Sequence, residues 1–367
     1  MARILKRDNM ENILLGATLL GAGGGGSIED GLKCMKTVEE RRKLEVNLIS
    51  PQEMEDGSYA GVIAGIGSPV VLKETSFYEE ALHCYDALES ASFFAGRPLK
   101  YVYSGEMGGF NTFTPMLVAI EKGLDMVDAD GVGRAVPGLD VTLCNVHGIP
   151  TKPLAVASKT GDSIIAYPQN GFDGKRSEVI ARNFCLGCGM IAAFGTWVVD
   201  KNEIQTMLAD GMITFAEKLG EKIKSAKKNK SSLAETLNNV LPTRELCKGV
   251  ITKKQLEVKD GWDWGSTEIE KEDGSKYFID FKNENLVARD DKKVYLTAPD
   301  IITIVESDTY TPLTNSDTKE GQSVVVLAMP VHKNWFSNSK GTQVWQPYFD
   351  GINYTGKIVR FEEEVQA

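Results

Sequence analysis

The chain is poor in the residues that make chemistry easy to guess. It carries three histidines in 367 residues, His83, His147 and His332, too scattered for a histidine-rich metal centre. Its six cysteines lie far apart except in "CLGCG" (185–189), which is not a disulfide framework, so a reducing cytoplasm is the expected setting. No stretch approaches the ~20 apolar residues of a membrane span. Behind the basic start "MARILKRDNM", Glu11 and Asn12 interrupt the apolar run, and no signal peptide is expected. Positive charge is also in deficit: 41 Lys and Arg against 51 Asp and Glu give a formal charge of −10. That balance argues against nucleic acid or an anionic membrane as partner. The one dense basic run, "KIKSAKKNK" (222–230), closes a helical segment and reads as a solvated helix end. There is no internal repeat and no low-complexity segment.

With 42% hydrophobic and 25% charged residues, the chain can bury an ordinary globular core. Its first part alternates helix-like and strand-like segments. Helical spacing from Met10 to Leu20 runs into "GAGGGGS", after which Ser27 caps a second helix. "AGVIAGIG" (60–67) reads as a buried strand, and Ser76-Phe77-Tyr78-Glu79 as a capping box for a helix to about Phe94. "LKYVYSG" is the next strand, "TFTPMLVAIEKG" a helix ending at Gly123, and "LDMV" another strand. Short strand–helix–strand connections imply a mainly parallel sheet with flanking helices. A helical pattern continues from about Ser177 to Asn239, with "CLGCG" inside it. From Glu245 the texture changes to short β-prone runs separated by turns. The expectation is an α/β domain over 1–245 and a β-rich domain of six to nine strands over 246–367.

Ligands in such sheets bind beyond the carboxyl ends of the strands. Three glycine-rich loops follow the expected strands and compete for one site: "GIGSP" (65–69), "SGEMGG" (104–109) and "DADGVGR" (128–134). The run Gly23, Gly24, Gly25, Gly26 lies between two helices, not after a strand. It therefore fails as a dinucleotide fingerprint, and without a lysine it fails as a phosphate loop. Its bare N–H groups suit an anion or oxyanion; a plain helix–helix turn is the alternative. Glu106 reads as a general base or a solvated loop acid. Asp128 and Asp130 read as acid–base or substrate groups, with an Asx-turn as alternative and a thin Mg²⁺ site as a third reading. Arg134 is expected to hold a substrate carboxylate. Gly108, Gly109, Asn111 and His147 complete the substrate-binding candidates. Cys185 and Cys188 read as buried structural thiols, with a nucleophilic or redox role as the alternative. Asn283-Glu284-Asn285 satisfies a turn or lines the domain interface.

The ordered motifs "LLGATLLGAGGGGS", "SGEMGGFNTFTPMLVAIEKGLDMVDADGVGRAVPGL", "FIDFKNENLVAR" and "PDIITIVES" resemble the S-methyl thiohydantoin desulfurase family from about Asn12 to beyond Val326. The resemblance implies two domains and hydrolysis of the C–S bond at C2 of a five-membered thiohydantoin, giving a hydantoin and a thiol. It leaves the catalytic map open, and small residues are expected in the family where this chain has "CLGCG". On the motif positions, Asp128 or Asp130 is the expected base and Glu106 the second candidate. The N–H groups of Gly23 to Gly26, Gly108 and Gly109 are the expected donors. The expected protein is a cytoplasmic homo-oligomer that takes a small-molecule substrate and needs no cofactor or metal. Two rival readings stand beside it: a non-catalytic module binding a small anion or nucleotide, and a divalent-metal, hydantoinase-like hydrolase built on Asp128, Asp130 and His147.

Overall fold

A computed structural model of the chain describes residues 2–259 and 262–362. Its strands fall into two sheets. The first contains β1 (Arg3–Leu5), β2 (Val46–Ile49), β3 (Tyr59–Gly67), β4 (Leu99–Ser104), β5 (Asp125–Asp130), β6 (Leu154–Ala157), β7 (Ser163–Ala166), β8 (Ile191–Val199) and β9 (Ala209–Asp210). Their order is β1-β2-β5-β4-β3-β8-β6-β7, with β9 paired to β5. The neighbours β2, β5, β4 and β3 run parallel, and the strands outside them pair antiparallel. Helices cover this sheet, and its strand β3 is apolar nearly throughout, as a strand buried on both faces must be.

The second sheet contains β10 (Arg244–Lys259), β11 (Trp262–Lys271), β12 (Lys276–Lys282), β13 (Glu284–Arg289), β14 (Val294–Thr297), β15 (Ile301–Glu306), β16 (Pro312–Leu313) and β17 (Ser323–Met329). Every pairing in it is antiparallel, in the order β14-β13-β12-β11-β10-β17-β15-β16. The α/β part and the all-antiparallel part expected from the residue pattern are both present, and the change of sheet falls at Arg244.

Local chemistry sets several of the turns that shape the site. Ser27 begins the helix Ile28–Glu39, its hydroxyl accepting from the Asp30 N–H while the Asp30 carboxylate takes the Ser27 N–H. Gly123, left-handed at φ 69°, ends the helix Phe113–Lys122 as its position implied. The helix Tyr78–Phe94 forms, but not from a capping box: Phe77 is the N-cap, at φ 51°, and its side chain caps nothing. Phe77 is buried and packs edge-on against Phe110, 4.8 Å between centroids, so tertiary packing sets that helix start. The larger departure is β8. The helix Gly174–Gly187 stops before it, Cys188 caps it, and the nine residues from Ile191 to Val199 form a wholly buried strand where continued helix was expected. A short run of small apolar residues fits a buried strand as well as a helix, and periodicity alone does not separate them.

Candidate active site

The glycine loop is where the two sheets meet. The Asn285 N–H donates to the Ala22 carbonyl at 2.7 Å and the Asn315 N–H to the Gly23 carbonyl at 2.8 Å. On its other side, the N–H groups of Gly109 and Asn111 donate to the carbonyls of Gly26 and Gly25. Only glycine permits this closeness. A Cβ on Gly24 would stand 1.9 Å from Glu284 Oε1, and one on Gly108 would stand 2.1 Å from the Gly25 carbonyl oxygen. Gly23, Gly25 and Gly26 also hold positive φ.

Between the loop and the strand ends lies a cavity of about 180 Å³, lined by Gly23 to Gly26, Gly65, Glu106, Asn111, Trp197, Glu284 and Asn315 among others. Asn111 is locked: its Oδ1 accepts the Gly65 N–H at 3.0 Å, so its amide nitrogen must face Glu106 Oε1, 2.7 Å away. The other oxygen, Glu106 Oε2, accepts the Val136 N–H at 3.0 Å. Burial pushes the Glu106 carboxyl up to about 7; its two donors hold it down, and the charges of Asp130 and Glu178 push it further up. Glu284 faces the same cavity, and burial followed by the charge of Glu106 raises its carboxyl well above the ordinary range. Three buried polar atoms on residues of this wall have no hydrogen-bond partner in the described protein: Glu284 Oε2, Asn315 Oδ1 and Trp197 Nε1. Trp197 also sits at φ 48°, a strained conformation for a bulky residue. Three polar atoms left open around one cavity are what a hydrogen-bonding ligand requires.

The expected residues divide sharply. Glu106, Asn111 and all four glycines from Gly23 to Gly26 line the cavity. Gly108 and Gly109 stand behind it, with their N–H groups committed to Thr112 Oγ1 and the Gly26 carbonyl, so they have no hydrogen left for a substrate. Asp128 lies off the cavity and caps another element. Its Oδ1 accepts the N–H groups of Ile213 (2.8 Å) and Thr214 (3.1 Å), and its Oδ2 the Thr214 hydroxyl, at the start of the helix Met212–Asn229. Asp130 is fully buried and takes the N–H groups of Val132 and Gly133, the Asx-turn alternative. Burial lifts its carboxyl to about 7 as well, but it does not line the cavity.

Arg134 is fully buried, and its donors go to backbone: Nε to Ala135, Nη1 to Pro299 and Asp300, Nη2 to Asn285. With four of its five N–H groups on carbonyls, and lying off the cavity wall, it is placed to hold backbone rather than a ligand there. His147 is half-buried near Ser337, 3.5 Å from its hydroxyl, and is not part of the wall. Asp128, Asp130 and His147 therefore share no cavity, and no group of three or more His, Cys, Asp or Glu placed to hold a metal occurs among the described residues. Cys185 is buried, its thiol donates to the Ile66 carbonyl, and burial raises it to about 11. Both thiols are free.

The residue underrated in the sequence is Glu284. "KNEN" hides a one-residue turn in which Asn283 takes φ 53° and exchanges two hydrogen bonds with Asp263, so that Lys282 and Glu284 pair across it. The crowding of amides around an acid was the legible signal.

Family models described as the S-Me-THD-like N-terminal domain and the S-Me-THD-like C-terminal domain match residues 8–167 and 173–358. The chain belongs to that family, the one its motifs resemble, which is consistent with a thiohydantoin-related enzyme. The two models part between 167 and 173, before the change of sheet. A crystal structure of a protein from Chromobacterium violaceum, 22% identical, superposes with a TM-score of 0.85 over 98% of this chain and 100% of that one, which shows a shared fold. No curated protein matches the chain. No helix among the described residues is long and apolar enough to cross a membrane.

Proposed function

We propose that the protein hydrolyses the C–S bond at C2 of an S-methylated thiohydantoin, with Glu106 as general base. Water attacks C2, its oxygen becomes the C2 carbonyl of a hydantoin, and the C–S bond breaks to release methanethiol. The two protons of the water end on the thiol sulfur and on the ring nitrogen that was doubly bonded to C2. Glu106 takes the first of these protons. A carboxyl raised to about 7 is near half-ionised at neutral pH, where a base of matched strength works best. The locked Asn111 amide and the Val136 N–H hold it in one orientation. Glu284, whose carboxyl is raised well above its usual range, is the second acid and holds a proton for the ring nitrogen or the leaving sulfur. The N–H groups of Gly23, Gly25 and Gly26, which make no hydrogen bond in the described protein, are donors for the ring oxygen.

The observation that carries this reading is the pair of buried carboxyls, both raised, that line one ring-sized cavity. The test is incubation with a 2-methylthio-imidazolone (the S-methylated thiohydantoin) in ¹⁸O-labelled water. Release of methanethiol with one ¹⁸O in the hydantoin is expected. Tight binding without turnover would leave a non-catalytic module. Turnover abolished by chelators and restored by a divalent ion would replace the Glu106 mechanism with a metal-dependent one.

A further inference from the structure

The 180 Å³ cavity adjoins a second chamber of about 990 Å³, and the two share lining residues, among them Ser68, Glu178, Arg182, Trp262, Asp263 and Ser316. The inner space suits one small ring, since an apolar cavity of about 150 Å³ takes a benzene. The outer one is as large as a whole ligand pocket. Its rim is unlike the rest of the surface: five of the twelve exposed large apolar side chains among the described residues line it. Val179, Leu186 and Met190 come from the helix Gly174–Gly187 and the turn after it; Leu256 and Val258 come from β10. The cations here are mostly committed. Arg182 pairs with Glu178 and lies 3.8 Å over the Trp262 ring, Lys73 pairs with Asp317, and Lys254 donates to the carbonyls of Asn315 and Thr318. Lys282 is buried against three rings, its Nζ 3.7 Å from the Trp262 centroid, 4.4 Å from Tyr348 and 5.1 Å from Trp264. Trp262, held by two cations, forms the wall between the chambers. What the outer chamber offers a visitor is therefore aliphatic and aromatic surface.

We infer that the outer chamber is a subsite for an apolar arm, so that the substrate is a five-membered ring carrying a bulky apolar or aromatic substituent. This rests on the inner cavity taking the ring, as proposed above. Adjacency of the two chambers decides the occupant: the outer one borders the space assigned to a ring beside Glu106 and Glu284, and burying a phenyl or larger group there covers the exposed apolar rim.

Calorimetric titration of the full chain with hydantoin, 5-methylhydantoin and 5-benzylhydantoin tests it. The benzyl compound is expected to bind at least about tenfold more tightly than hydantoin, about 1.4 kcal/mol. In the double variant Leu186→Ser/Leu256→Ser that ratio should fall towards one; both side chains are exposed, so folding is not at stake. Equal affinity of benzyl and unsubstituted compounds overturns the inference. Binding of no hydantoin at millimolar concentration would strike the ring reading instead, and the arm is then decided with 1-anilinonaphthalene-8-sulfonate. A bright complex that dims in the double variant retains an apolar-ligand site, and no complex refutes it. A dimer that dissociates in the double variant would assign the rim to a second copy of the chain and overturn the inference.

Discussion

Glutamine at position 106 separates a base from a structural acid. Glu106→Gln keeps the side chain's size but removes its proton affinity. Loss of a general base lowers kcat/KM by ~10²–10⁴, which is ~3–5 kcal/mol of barrier. The structural cost is separable. Asn111 cannot turn its amide, because its oxygen holds the Gly65 N–H. The new amide must therefore point its NH₂ at either Asn111 Nδ2 or the Val136 N–H, an opposed pair that costs about 1–3 kcal/mol of stability.

The pH dependences of rate and stability then run in opposite senses. The rate of the parent protein should rise through pH 7 as Glu106 ionises, and the variant should lack that limb. For stability, the folded carboxyl lies above its unfolded value of 4.5. Its contribution is thus complete below pH 4.5 and is lost as pH rises through 7. At about 1.4 kcal/mol per unit this amounts to at most about 3 kcal/mol. The variant has no such proton to lose, so its deficit in stability at about pH 5 should shrink or reverse by about pH 8. Stopped assays of thiol release across this range, with denaturant melts at both ends, read both quantities. Turnover within tenfold of the parent, with the pH 7 limb intact, would refute Glu106 as the base.

Other outcomes follow from the same contacts. Gly24→Ala should cost most of the activity and several degrees of melting temperature, because its Cβ meets Glu284 Oε1 at 1.9 Å; a normal melt with normal turnover would contradict the packing. Asp128→Ala should lower stability by about 1–2 kcal/mol through loss of a helix cap and leave kcat/KM within a few-fold, read by urea melts and the thiol assay. Arg134→Lys should lower stability by about 2–4 kcal/mol without a selective rise in KM, because it removes part of a four-carbonyl fork rather than a substrate contact. Cys185→Ala/Cys188→Ala should keep most of its rate, with a modest loss of stability from removing the packed Cys185 thiol.

What could be read in advance, and what could not, follows from the range of the interactions. Gly123, Ser27 and the strand Tyr59–Gly67 were legible because the signals that make them act within a few residues. The glycine run and Glu106 were legible as neighbours around one cavity because glycine-rich loops gather at strand ends. The roles of Asp128 and Arg134 were not legible: the first depends on a helix 85 positions away in sequence, the second on carbonyls 151 to 166 positions away. An acid beside glycines looks the same whether it faces a ligand or a distant N–H. Glu284 was the reverse case, an acid in the second sheet that joins the cavity wall only because the glycine loop of the first rests on it. Neighbouring sequence carries no trace of that contact beyond its amides.

The buried guanidinium of Arg134 also bears on how the chain is made. Three of its four carbonyl partners, on Asn285, Pro299 and Asp300, are synthesised long after it. A cation enclosed without them would be destabilising by several kcal/mol, so the α/β part emerging from the ribosome must keep this residue hydrated and its surroundings open. Residue Thr303 adds a second late tie, its hydroxyl donating to the Leu19 carbonyl at the end of the first helix. Closure of the first half thus waits on the second. A nascent chain stalled before residue 300 should remain protease-sensitive around Arg134, whereas one released at full length becomes resistant there in a single step.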